Sequence, residues 1–168
     1  MVDGIREPDA NNPKGYFEFE RVKKLPKGDS DWLKSAEGKV VKIISALLEY
    51  LPQAYHYRII FMERDIDEIL RSQKRMLARS SRDQGTSVSD ENLRQYFQAH
   101  LEEVKSFLQK SDWLKVITVN YNDILHNPES EFKRVAQFLD NVVDPTLMVG
   151  VVDPDLYREK INGNSNKG

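Results

Sequence analysis

The chain has 168 residues, a net charge of -2, 39% hydrophobic and 31% charged residues, and no cysteine. This composition predicts one soluble globular domain over residues 1–162, followed by a flexible tail at 163–168. It argues against a general nucleic-acid binder and excludes disulfides, thiolate chemistry and cysteine–zinc sites. No apolar run is long enough to span a bilayer, and the polar N-terminus does not resemble a signal peptide, so we expect a cytoplasmic protein.

The first 56 residues predict little regular structure. Residues 1–15 are rich in Gly, Pro, Asn and Asp and predict a loop. Residues 16–25 fit a short helix or an extended segment equally well, and 26–32 predict a turn. The β-branched run "KVVKII" at 39–44 predicts a first strand.

Two further apolar runs predict strands at 57–62 and 114–121, and amphipathic segments predict helices around them. Because the runs are nearly continuous rather than alternating, we expect strands of a parallel sheet that is covered on both faces. Asp65 is predicted to cap the first helix, and Asn127 with Pro128 starts another. The remaining helices are predicted at about 89–110, with the clearest apolar stripe, and from Asp153-Pro154 through Ile161.

Strands that alternate with helices indicate an α/β fold, with a three-layer, mostly parallel sheet flanked by helices. In such sheets ligands bind beyond the carboxyl ends of the strands, where Arg64 and Tyr121 lie. An arginine at a strand exit next to a helix start can receive a phosphate, and the helix start adds N–H groups. Ser72 lies about two turns after Asp65 along the predicted helix, on the same side as Asp65. The alternative is an ion pair of Arg64 with Glu63 or another nearby carboxylate.

The segment "RDIDEILRS", from Arg64 to Ser72, resembles the "RDxxDVxxS" segment of sulfotransferases that use 3'-phosphoadenosine 5'-phosphosulfate. The later segment "YNDILHNPESEFKRVAQFLD" at 121–140 is similar to the family's "YEDL" followed by a proline-started helix that ends in "FL". Val152-Asp153-Pro154 matches a "VDP" segment. The resemblance extends over about residues 11 to 161, and the order and spacing of these segments carry it.

The resemblance implies a P-loop-type sulfotransferase fold and roles for three residues. Arg64 and Ser72 would bind the 3'-phosphate of the cosubstrate, and Tyr121 would contact the adenine. Without the resemblance, a tyrosine at a strand end is a half-buried packing residue. The activity implied is transfer of a sulfuryl group to a hydroxyl or amine of a small-molecule acceptor, without a metal or nucleic acid. Asn122 stands where the family usually has glutamate.

The family's first strand and its phosphate loop, similar to "PRSGTT", have no counterpart in this sequence. The cytosolic branch of the family has a "KTHLP" segment with a histidine base. The similar segment here is "KIISALLEYLP", in which Lys42 matches the lysine and Ile44 stands at the histidine position. No catalytic residue is therefore assigned. We expect either an enzyme that needs the missing N-terminal segment or a catalytically inactive nucleotide- or protein-binding module. A sheet without that strand is expected to self-associate or to swap a segment.

The other candidate residues favour structural roles. His56, His100 and His126 are scattered and share no metal-ligand spacing. The charged stretch 74–83 fits a solvated helix end better than a nucleic-acid patch, because no aromatic residues interleave with its charges.

Overall fold

The computed structural model describes residues 1–5, 7–9, 12–79 and 89–153. For residues 75–79 only the backbone is described. The contacts divide the chain into two compact units, Met1–His56 with Glu102–Trp113, and Tyr57–Leu101 with Leu114–Gly168. The expectation of a single domain over 1–162 stays a prediction. The predicted last helix from Pro154 and the predicted tail lie outside the described residues.

The first unit is built from short 3₁₀ helices around an aromatic and aliphatic core. These helices span Glu20–Lys27, Asp31–Ala36 and Ser45–Tyr50. The first ends at Gly28, whose positive φ of 81° supplies the left-handed turn that a side chain would disfavour. Phe19 packs edge-on against Trp32 with ring centroids 5.1 Å apart. The buried apolar residues of this unit are Tyr16, Val22, Leu25, Trp32, Leu33, Ala36, Leu48, Leu51, Val104 and Leu108.

The predicted strand at 39–44 is wrong. These residues form no strand, and a 3₁₀ helix begins at Ser45. Val40 and Ile44 are 76% and 61% exposed, so the run is neither paired nor buried. A β-branched run favours extended backbone, but it forms a strand only where a neighbour supplies a hydrogen-bonded ladder, and none lies beside it within the described residues.

The second unit contains two parallel strands, β1 (Tyr57–Glu63) and β2 (Leu114–Asn120), which confirms both of these predictions. Their register runs from Tyr57 opposite Leu114 to Glu63 opposite Asn120. Phe61 and Val119 are buried, but Met62 is 50% exposed. Among the described residues the sheet has only these two strands, and both also expose a residue near the start, Arg58 and Lys115, so the predicted cover on both faces is incomplete.

The helices follow the predicted order, so the fold is α/β with a small parallel sheet. Helix α1 spans Ile66–Arg79 and α2 spans Asp90–Lys110, as the apolar stripes predict. Helix α4 (Pro128–Phe138) begins after Asn127 with proline in its first turn, although the Asn127 side chain makes no capping hydrogen bond.

Two short helices were not predicted. Helix α3 (Tyr121–His126) begins directly where β2 ends, and α5 (Pro145–Val149) follows α4. Both are started by a side-chain cap, because the side chain of Asn120 accepts from the Asn122 N–H and that of Asp144 from the Thr146 N–H. Tyr121 is therefore the first residue of a helix rather than the last residue of a strand. The buried residues of this unit are Phe61, Glu68, Leu70, Leu114, Val119, Glu131, Phe132, Val135 and Ala136.

Candidate functional site

The carboxyl ends of β1 and β2 bring Arg64 and Tyr121 together. The last paired residues are Glu63 and Asn120, so the next residue of each strand lies at the same edge of the sheet. The Cζ atom of Arg64 lies over the Tyr121 ring, 4.7 Å from its centroid. This distance is within the range of a cation–π contact, which holds the guanidinium against the aromatic face.

Arg64 also forms an ion pair with Glu68, one helical turn later. Its Nε donates to Oε2 of Glu68 at 2.8 Å. The Glu68 side chain is completely buried, whereas 27% of the Arg64 side chain is exposed. A buried carboxylate is costly unless it is paired and hydrogen-bonded, so the guanidinium on one of its oxygens stabilises it.

Asn122, in the first turn of α3, reaches the other oxygen of the same carboxylate. Its Nδ2 donates to Oε1 of Glu68 at 3.3 Å. The reversed amide would place two acceptor oxygens against each other, so this contact fixes the orientation of the amide. The Asn122 Oδ1 is buried and has no hydrogen-bond partner in the described part of the chain. Buried polar atoms are rarely left without a partner, and exceptions often mark functional sites.

The N-terminus of α1 is capped by Asp65, as predicted. Its Oδ1 accepts from the backbone N–H groups of Asp67 at 2.8 Å and of Glu68 at 3.3 Å. The prediction that backbone N–H groups at this helix start can bind a phosphate is therefore wrong for the N–H groups of Asp67 and Glu68. An anion at this edge depends on side chains, and chiefly on Arg64.

Asp67, in the same helical turn, has a different cation as its partner. It accepts a hydrogen bond from Arg94 of α2, and this bond raises the pKa of the Arg94 guanidinium. The ion pair therefore links the first turn of α1 to the second turn of α2.

Ser72 lies on α1 and is exposed. Glu68 precedes Ser72 by four residues, which is about one turn of α1, and Arg64 lies two residues before the helix begins. The hydrogen bond from Arg64 to Glu68 therefore joins the residue before the helix to its first turn.

The alternative interpretation of Arg64, an ion pair with a nearby carboxylate, is also present in the structure. The carboxylate is Glu68, whose contacts with Arg64 and Asn122 were missed from the sequence. A signal was available, because Glu68 occupies the acidic position of the "RDxxDVxxS" segment.

Lys42 and Ile44 belong to the first unit, and His126 belongs to the second. Lys42 donates to the carbonyl oxygen of Tyr16 at 3.1 Å and lies 3.6 Å from Oε1 of Glu18. Ile44, at the position of the family's histidine, is an exposed aliphatic side chain. His126 lies with Nδ1 2.7 Å from the carbonyl oxygen of Asn122.

The described residues contain neither a cluster arranged to bind a metal ion nor a helix that could span a membrane. No group of three or more histidine or carboxylate side chains is arranged to hold a metal ion in residues 1–5, 7–9, 12–79 and 89–153. In the same part of the chain, no helix is both long and apolar enough to cross a membrane.

A family model described as the sulfotransferase family matches residues 11–145, which is most of the chain. The chain belongs to the sulfotransferase family. Membership implies a nucleotide cosubstrate, generally 3'-phosphoadenosine 5'-phosphosulfate, and an acceptor molecule. The match includes Arg64, Ser72 and Tyr121, and it ends before the Val152-Asp153-Pro154 segment. A search of curated proteins and a search of solved structures each found no match.

Proposed function

We propose that this sulfotransferase-family chain binds 3'-phosphoadenosine 5'-phosphosulfate at the carboxyl ends of β1 and β2. Arg64 and Ser72 contact the 3'-phosphate, and Tyr121 contacts the adenine. The observation that carries the proposal is the Arg64 guanidinium, which is held over the Tyr121 ring at an edge where parallel sheets commonly bind ligands. The wider three-layer P-loop fold is part of the same proposal.

The residues present fit a nucleotide with a ribose phosphate. The partly exposed Arg64 can donate to phosphate oxygens in a charge-assisted hydrogen bond. Ser72 lies about 10 Å along the helix from Asp65, at 1.5 Å per residue. A phosphate between the two side chains is within their combined reach, since the guanidinium already extends one turn along α1 to Glu68. The Tyr121 ring offers an aromatic surface to the base.

Sulfuryl transfer requires a second set of groups, for the reacting end of the nucleotide. When bound, the cosubstrate supplies the sulfuryl group, and donors that stabilise the developing charge determine the rate. The sequence contains no strand followed by a "PxSGT"-like loop and a helix, and we assign no base. Transfer to a hydroxyl or amine therefore needs a phosphosulfate-binding segment in addition to the residues present here.

A second candidate is a binding module without transferase activity. One observation favours it: Ile44 offers no base where the cytosolic branch of the family has histidine. The two candidates share the nucleotide site and differ only in the chemistry that follows binding.

Calorimetric titration with adenosine 3',5'-bisphosphate tests the shared site. The parent chain is expected to bind, and Arg64→Ala is expected to bind at least about tenfold more weakly, which is the loss of one charge-assisted hydrogen bond. Arg58→Ala is the matched control, because this arginine lies on the same strand at its opposite end. Equal affinities of the parent and Arg64→Ala would refute the site.

Arg64→Ala leaves the buried Glu68 carboxylate without its cation. A loss of binding in this variant must therefore be distinguished from a loss of folding. Arg64→Ala/Glu68→Gln removes both charges and serves as the folded reference. Weak binding by this double variant with a parent-like circular dichroism spectrum supports the site, and parent-like binding contradicts it.

A transfer assay with radiolabelled cosubstrate and a set of phenols, alcohols and amines separates the two candidates. We expect the 168-residue chain to bind the nucleotide and to transfer no sulfate at a useful rate. The loss of a single preorganised donor already costs about a hundredfold in rate. Robust transfer would overturn this expectation and favour the enzyme.

A further inference from the structure

We propose that Glu68 and Asn122 act together as positioning residues that orient Arg64 toward the 3'-phosphate. They thereby determine the preference of the site for nucleotides with a 3'-phosphate over nucleotides without one. The proposal rests on the nucleotide site proposed above and adds to it two residues that are not expected to touch the ligand.

The ion pair between Arg64 and Glu68 restricts the orientation of the guanidinium. The Glu68 carboxylate engages Nε of Arg64, which is the inner nitrogen of the guanidinium. A planar guanidinium held at Nε and stacked on Tyr121 has lost most of its rotational freedom. Because the carboxylate lies one turn toward Ser72, the orientation that it fixes is the one that points along the proposed phosphate site.

Asn122 holds the same carboxylate from the helix that follows the neighbouring strand, at the same edge of the sheet. Its amide occupies Oε1 of Glu68, while Arg64 occupies Oε2. Glu68 belongs to the helix after β1, and Asn122 belongs to the helix after β2. The carboxylate is thus fixed between the two elements that carry the proposed phosphate and adenine contacts.

Two effects of the Glu68 charge on phosphate binding oppose each other. Its negative charge repels the phosphate, but the guanidinium lies between them and the Arg64 side chain is partly in water, which weakens the repulsion. Its hydrogen bond removes the rotamer freedom of a long side chain, which would otherwise reduce affinity by about tenfold on binding. We infer that positioning outweighs repulsion.

The experiment is a comparison of two nucleotides across a double-mutant cycle in the full chain. The affinities of adenosine 3',5'-bisphosphate and adenosine 5'-phosphate are measured for the parent, Glu68→Gln, Arg64→Ala and the double variant. Glu68→Gln is expected to weaken the bisphosphate by about tenfold and to leave the monophosphate within about twofold. In the Arg64→Ala background, the same change should cause no further loss of bisphosphate affinity, because no guanidinium is left to position.

Asn122→Asp tests the other half of the pair with a side chain of the same shape. A carboxylate at this position repels Glu68 instead of donating to it, so the orientation of the Glu68 carboxylate is lost. We expect the bisphosphate to bind several-fold more weakly and the monophosphate to bind as before. Asn127→Asp makes the same change of charge at an exposed residue directly after this helix, so it is the matched control and should leave both affinities unchanged.

The outcomes distinguish this inference from the proposed function. A uniform loss for both nucleotides indicates a merely structural role and overturns the inference, while Arg64 remains the phosphate contact. Stronger bisphosphate binding by Glu68→Gln also overturns it, because repulsion then dominates. If Arg64→Ala binds like the parent, the site itself is wrong and the inference falls with it.

Discussion

The two ends of β1 each carry an arginine that is paired with a carboxylate, but the two pairs lie in different surroundings. At the amino end, Arg58 donates to Asp140 and to the carbonyl oxygen of Phe138, and 69% of the Asp140 side chain is exposed. At the carboxyl end, Arg64 donates to Glu68, which has no exposed surface. The two arginine side chains are similarly exposed, so the difference between the pairs lies in their carboxylates.

This difference predicts which pair the fold depends on. Water solvates each member of an exposed pair when its partner is removed, so such pairs contribute little. A buried carboxylate has no such alternative, and removing its cation leaves an uncompensated charge. The carboxyl end of the sheet is therefore the sensitive end, and it is also the end that carries the proposed nucleotide site.

The largest expected effect is the loss of stability in Arg64→Ala compared with Arg58→Ala. We expect Arg64→Ala to lower the free energy of unfolding by roughly 3 kcal/mol, at the lower end of the range for breaking a buried ion pair, because 27% of the Arg64 side chain is exposed. The effect of Arg58→Ala should be much smaller. Urea denaturation followed by circular dichroism measures both.

Adding Glu68→Gln to Arg64→Ala provides the internal control for this prediction. A neutral amide is cheaper to bury than an unpaired carboxylate, so the double variant should recover most of the lost stability. Equal losses in Arg64→Ala and Arg58→Ala, or no recovery in the double variant, would show that the burial of Glu68 does not distinguish the two ends.

The comparison also shows what the sequence could predict about the fold. Three runs are rich in β-branched residues, at 39–44, 57–62 and 114–121. Strands form only in the latter two. Composition reports a preference for extended backbone, whereas a strand also needs a partner in register. That partner lies far away in the sequence, and a single run carries no information about it.

The site was predictable to a similar extent. Parallel strands end at the same edge, so the proximity of Arg64 and Tyr121 followed from the strand assignment alone. The contacts of Glu68 with Arg64 and Asn122 did not follow. They depend on the rotamer of Arg64 and on α3 beginning directly at Tyr121, which the Asn120 cap brings about. The pattern of apolar residues gives little indication of such a cap between a strand and a helix.

A second, smaller effect is expected for the stability of Asn122→Asp. This change places a carboxylate where an amide now donates to Glu68 at 3.3 Å. We expect a loss of about 1–2 kcal/mol at neutral pH, which is the cost of losing a hydrogen bond to a charged group. Repulsion between the two carboxylates raises the folded-state pKa of the pair, so the deficit should shrink as the pH falls and one of them takes up a proton. Urea denaturation at several pH values measures it, and a deficit that does not change with pH would contradict this account.

The smallest effect is expected at the amino end, from Asp140→Asn. The hydrogen bond from Arg58 lowers the pKa of Asp140 below its ordinary value of 3.8, so the ionised carboxylate is favoured in the folded state. Its contribution to stability is therefore fully present above the unfolded-state pKa and is lost as the pH falls through the folded-state pKa. Asparagine is a suitable replacement, because the backbone of Asp140 has a positive φ of 56°, which asparagine tolerates. The parent should have a slightly higher Tm than the variant at neutral pH, and the difference should disappear once the pH has fallen below the folded-state pKa and decrease with added salt. A Tm difference that grows on acidification would show that Arg58 and Asp140 do not form this pair in solution.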